Sequence, residues 1–113
     1  MLVRSHKQVA PLSYGEGIQK RVLIGPKQGA LNFVLRLFEL SPGKASSYHR
    51  HDWEHEVFVL SGEGVVTSEA GKTPLRANDA IYVAPNEMHS FANAGQDNFR
   101  FICVVPLRGE DTP

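Results

Sequence analysis

Residues 43–62 read Gly43, Lys44-Ala45-Ser46-Ser47-Tyr48, His49-Arg50-His51, Asp52-Trp53-Glu54, His55, Glu56-Val57-Phe58-Val59-Leu60-Ser61, Gly62. Three histidines fall within seven residues, and a fourth, His89, lies in a later segment of similar strand-like character. Neutral imidazole is the side chain best suited to holding a divalent transition metal. A lone His-x-His is ordinary surface chemistry. Three crowded histidines joined by a strand histidine after a proline turn are hard to explain that way. A fold that sets the two segments side by side makes a four-nitrogen site.

The strand period sharpens this. Side chains two apart share a face, so His49 and His51 point the same way. In the following segment His55, Val57 and Val59 share one face, and Glu54, Glu56 and Phe58 the other. His89 and Phe91 lie together. A closed sheet directs His49, His51, His55 and His89 toward one interior point.

Outward from this stretch, the chain reads as short strands between turn residues. Arg21–Gly25 and Asn32–Leu40 are apolar runs, the second interrupted by Arg36 and Glu39 and ended at Ser41-Pro42-Gly43. Ala45–His51, Glu54–Leu60, Val65–Ser68, Ala80–Val83, His89–Ala94 and Phe99–Val105 complete the set, with Glu69–Lys72 read as a tight turn. Nowhere do apolar residues recur at helical spacing over a long stretch. The spacing of strands and turns predicts an all-β sandwich or barrel. Residues 1–19 read as a polar arm that lies along the body or reaches a neighbouring subunit. Residues 20–107 read as the barrel, and 108–113 as a frayed tail.

The composition excludes several function classes. The 113 residues make one domain, with 12 basic and 12 acidic residues and no net charge. The basic residues are scattered, so a nucleic-acid partner is not expected. No run is long enough to span a bilayer, and the first residues lack the pattern of a signal peptide. The single cysteine, Cys103, has no internal partner for a disulfide, and a reducing cytoplasm is the expected location. There is no nucleophile motif, phosphate loop or paired-carboxylate signature.

With its motifs laid out, the sequence resembles the cupin superfamily. The first family motif is matched by Gly43, His49-Arg50-His51, His55 and Gly62, and the second by Asn78, Pro85, His89 and Asn93. The resemblance runs from about Lys20 to Pro106. It implies a double-stranded β-helix, a jelly-roll barrel with one metal inside, and a homodimer. Two positions depart from the pattern. Asn78 stands where the second motif has glycine, and Asn is the best replacement for Gly in a left-handed turn. His55 stands where the first motif has glutamate. Glu56 follows it, but the gap to Gly62 fits His55, and alternation turns Glu56 to the other face. Such a site is similar to that of the small one-domain cupins with four histidine ligands, whose manganese-binding members come from thermophilic bacteria. Manganese is the metal this implies; imidazole also suits Fe, Co, Ni, Cu and Zn.

Four neutral ligands leave a divalent ion its full charge, which favours anionic ligands, and leave an octahedral ion two open positions. Phe91, Phe101 and Cys103 share faces directed at such a pocket and are candidate substrate contacts, though core packing explains them equally well. Trp53 reads as a packing anchor or a lid. Arg36 reads as a charge that snorkels to solvent in preference to a substrate anchor. Asp52, Glu54 and Glu56 read as solvated charges rather than partners of the ligands. The leading functional reading is a metal-dependent oxidoreductase that oxygenates or oxidatively cleaves a small organic substrate. A non-enzymatic module that binds a small ligand or sugar is the alternative. A purely structural metal is a third.

Overall fold

A computed structural model describes residues 1–110. Nine strands follow in chain order: β1 (Leu12–Ser13), β2 (Ile18–Ile24), β3 (Phe33–Leu40), β4 (His55–Ser61), β5 (Gly64–Ser68), β6 (Gly71–Leu75), β7 (Ala80–Val83), β8 (His89–Asn93) and β9 (Phe99–Pro106). A short helix, α1 (Leu107–Glu110), closes the described chain. The strands form a six-stranded sheet in the order β1-β2-β3-β9-β4-β7 and a three-stranded sheet in the order β6-β5-β8. All pairings are antiparallel. The two sheets face each other across one core, the jelly-roll arrangement expected of a double-stranded β-helix.

Alternation explains why the core sits where it does. Along β9, Phe99, Phe101, Cys103 and Val105 are buried while the residues between them are half-buried. Along β4, His55, Val57 and Val59 are buried while Glu56, Phe58 and Leu60 are exposed. Register then stacks inward residues into rows. Arg36 on β3 lies opposite Cys103 on β9, which lies opposite Val57 on β4. The next row is Lys20, Phe38, Phe101 and Val59. Phe101 touches Phe38, Phe91 and Phe99 at ring separations of 5.4, 5.1 and 5.2 Å, which ties the small sheet to the large one. Each such buried ring contributes roughly 1.5–3 kcal/mol by leaving water.

Two turns carry the motif positions. Gly62 has φ 86°, and a Cβ there would press on the backbone of Asn98 and Phe99, so only glycine fits. Asn78 has φ 76°, the left-handed conformation expected for it, and its N–H donates to the Val59 carbonyl at 2.9 Å.

Some expectations need correction. Ala45–His51 is not a strand: it meets β8 only at the isolated bridges Ala45–Ala92 and His49–His89. Between them Ser46 substitutes for regular pairing. Its N–H donates to the Phe91 carbonyl at 2.8 Å, and its hydroxyl accepts from the Phe91 N–H at 2.9 Å. Gly71–Leu75, expected to begin as a turn, is strand β6. It is an edge strand, where Pro74 leaves no ladder bond unmade. β2 starts at Ile18, inside the expected arm. The arm itself lies along the body: Arg4 donates to the carbonyls of Val22 and Leu23, and Arg21 to that of Val9. The expected frayed tail begins instead as α1; residues 111–113 lie outside the described residues. No described helix is long and apolar enough to cross a membrane.

Candidate metal centre

The four histidines come from three pieces of chain. His55 opens β4, His89 opens β8, and His49 and His51 sit on the bridging loop. Backbone bonds set their register: the His49 N–H donates to the His89 carbonyl at 3.1 Å, and the His89 N–H to the His49 carbonyl at 2.9 Å. Residues so paired project to the same side of a sheet. The Asn86 N–H holds the next turn of the loop by donating to the His51 carbonyl at 2.5 Å.

The imidazoles converge. One ring nitrogen each from His49, His51 and His89 lies within 4.8 Å of the other two. His55 is outside that tight set but directly against it, its ring centroid 4.8 Å from that of His89 and 5.1 Å from that of His51. Glu56 faces away and is exposed.

Hydrogen bonds assign the nitrogens. His89 Nδ1 lies 2.8 Å from the Glu87 carbonyl, which only accepts, so Nδ1 carries the proton and Nε2 is left with its lone pair. His49 Nδ1 meets the Ser47 hydroxyl at 2.7 Å, and His55 Nδ1 meets Cys103 Sγ at 3.4 Å. His55 Nε2 is fully buried and has no hydrogen-bond partner among the described residues. A buried nitrogen without a partner is costly unless something binds it. That orphaned atom, beside three converging nitrogens whose outer faces are already oriented, fits a divalent transition ion. Asp52, Glu54 and Glu56 do not orient the ligands: Asp52 pairs instead with Arg108 at 2.6 Å.

Burial and neighbouring groups disfavour the charged form of three of the rings. Burial and then the neighbouring imidazoles and Arg36 push His55 down to about 3. Burial, His49, His89 and Arg36 push His51 down to about 4, against a small opposing pull from Asp52. His49 is lowered by burial and by His89. Neutral imidazole is the form that ligates.

Phe91, Phe101 and Cys103 line the cavity into which the four histidines project. Cys103 is 3 % exposed, and burial raises its thiol pKa, which keeps the sulfur protonated. Trp53 packs as an anchor: its ring stacks on His51 at 4.5 Å and 4°. Gly109 of α1 lies so close that a Cβ would meet the indole at 2.8 Å.

Sequence reasoning missed a charged group on the same cavity. Arg36 does not snorkel: it is 4 % exposed, because its position on β3 shares the inward face with Val34, Phe38 and Leu40. It donates to Cys103 Sγ at 3.1 Å and to Glu110 at 3.4 Å, while its Nε is buried without a partner among the described residues. Lys20, 7 % exposed, bonds the other Glu110 oxygen at 2.8 Å. Tyr14, whose hydroxyl pKa is raised by burial, lies over this group and lines both the cavity and a wider outer depression. That depression also touches Lys20, His49 and His51.

A family model described as a cupin domain matches residues 36–105. The oxalate-binding protein of Thermotoga maritima is 30% identical over 95% of this chain and 94% of its own length. The dimethylsulfoniopropionate lyase DddW of Ruegeria pomeroyi is 29% identical over 79% of this chain, which spans 58% of that protein. Among solved structures, the polyketide cyclase RemF of Streptomyces resistomycificus superposes with a TM-score of 0.88 at 28% identity, covering 95% of this chain and 80% of that one.

Proposed function

The chain belongs to the cupin family, and from that premise we propose that it is a metal-dependent enzyme acting on a small organic substrate inside the barrel. The observation that carries this reading is the buried, unpartnered His55 Nε2 facing a cluster of three further imidazoles. His49, His51, His55 and His89 would hold one divalent ion, with manganese the first candidate. Such an ion supplies Lewis acidity and, for the redox-active metals, electron transfer to a bound substrate.

The chain's own residues do the rest. Ser47, the Glu87 carbonyl and Cys103 fix the imidazole orientations, so the site is preorganised. Phe91, Phe101 and Cys103 exclude water and offer an apolar wall to the substrate. Trp53 holds the His51 ring in place from the outer side. The thiol and the Tyr14 hydroxyl are kept protonated by burial, so neither is a ready base. With no free carboxylate among the lining residues, the reaction falls to the metal, and we propose oxygenation or oxidative cleavage as its class.

The second reading is a module that binds a small ligand without turning it over. The same shortage of acid–base groups favours it, as does the oxalate-binding relative. Metal-loaded protein incubated with dioxygen or peroxide and a panel of phenols, unsaturated compounds and organic acids separates the two. Turnover that needs the metal and disappears in His55→Ala supports the enzyme. Ligand binding with no turnover across the panel supports the module.

A further inference from the structure

Lys20, Arg36 and Glu110 form a buried charged group beside the histidine cluster. Two cations, each more than nine-tenths buried, share one carboxylate. The described lining of the cavity offers no second carboxylate. Among the described residues one of the two positive charges is left without a carboxylate partner, at high cost in a low-dielectric interior. The guanidinium is also under-bonded. Its Nη2 donates to a weak acceptor, the Cys103 sulfur, and its Nε donates to nothing among the described residues. A charged fork is the group best matched to a carboxylate.

Position adds to chemistry. Arg36 and His55 contact the same sulfur, at 3.1 and 3.4 Å, so the guanidinium and the candidate metal centre are separated by a single atom. Lys20 lines the outer depression that shares Tyr14, His49 and His51 with the cavity, and Arg36 lies on the cavity wall. Glu110, on the single-turn helix α1, bonds both cations and occupies the carboxylate position between them.

We infer that Arg36 and Lys20 form a carboxylate-binding subsite beside the histidine cluster, that the ligand is a short organic acid, and that the Glu110 side chain is an internal occupant which the ligand's carboxylate displaces. The inference rests on the reading of the cavity as a substrate site and names the class of substrate. It requires a ligand with a carboxylate at one end and a metal-binding oxygen within a few bonds of it.

Calorimetric titration of the full chain with malonate, and with malonamide as its uncharged counterpart, tests this. Malonate should bind at least ten-fold more tightly than malonamide. Arg36→Gln should remove that preference while the metal content, read by elemental analysis, stays unchanged. Arg36→Lys should keep part of it. Glu110→Gln should tighten malonate binding several-fold, a result that mere loss of structural support would not give. The same titrations on metal-free protein should retain the arginine dependence, so a failure of the metal reading is seen separately. Equal binding of malonate to wild type and folded Arg36→Gln overturns the inference. So does weaker binding by Glu110→Gln, or no carboxylate binding by the wild type.

Discussion

His49 and His89 exchange both of their backbone hydrogen bonds, at 3.1 and 2.9 Å, so two imidazoles from distant parts of the chain are brought together by the backbone itself. The ring centroids of the two lie 4.9 Å apart. The core residues Phe99, Leu40, Val34, Val59 and Val105, each under 2 % exposed, give the barrel an apolar interior of its own.

Chelation is therefore expected to leave the fold standing. Far-UV circular dichroism should be unchanged after metal removal, with a lower melting temperature, since a ligand that binds only the native state adds stability by mass action. Unfolding at room temperature on chelation would make the metal structural.

Acid should destabilise the metal-free protein from the neutral side. His55 is neutral in the fold down to about pH 3. In the unfolded chain it takes up a proton near pH 6.5, so below that value the unfolded state binds more protons and stability falls as pH falls. The slope is about 1.4 kcal/mol per pH unit for one such group, between pH 6.5 and 3. Urea midpoints at pH 7.5 and 5 should show the loss, and His55→Phe should reduce it. Midpoints that rise toward pH 5 would contradict the assignment.

A homodimer is expected. The outer face of the large sheet carries Phe58 at 43 % exposure and Tyr82 at 57 %, with Phe33 at 64 % on the strand two away from β4. These exposed aromatic side chains of one sheet suit a second copy better than water. Sedimentation velocity should show a species of twice the monomer mass, shifted toward monomer by Phe58→Lys. A wild-type monomer at micromolar concentration would contradict this.

Much of the site was legible because strand alternation is strict. It turned His55, Val57 and Val59 inward and Glu56 outward, as the burial along β4 has it. The left-handed turn at Asn78 was legible for a similar local reason. The loop carrying His49 and His51 was not, since its pairing depends on Ser46, whose hydroxyl takes a backbone's place. The Lys20–Glu110–Arg36 group was hidden more deeply. Alternation in β3 already placed Arg36 with Val34 and Phe38, but the charge argued for solvent, and only the tertiary fold brings Glu110 to it.

The central claim is that His55, with His49, His51 and His89, holds one metal ion. Elemental analysis of purified wild type, His55→Ala, His89→Ala and Glu56→Ala, prepared side by side, tests it most directly. One equivalent of divalent metal in wild type and in Glu56→Ala, with at least a ten-fold loss in both histidine variants, is the expected result. Metal retained in folded His55→Ala, or lost in Glu56→Ala, would contradict it.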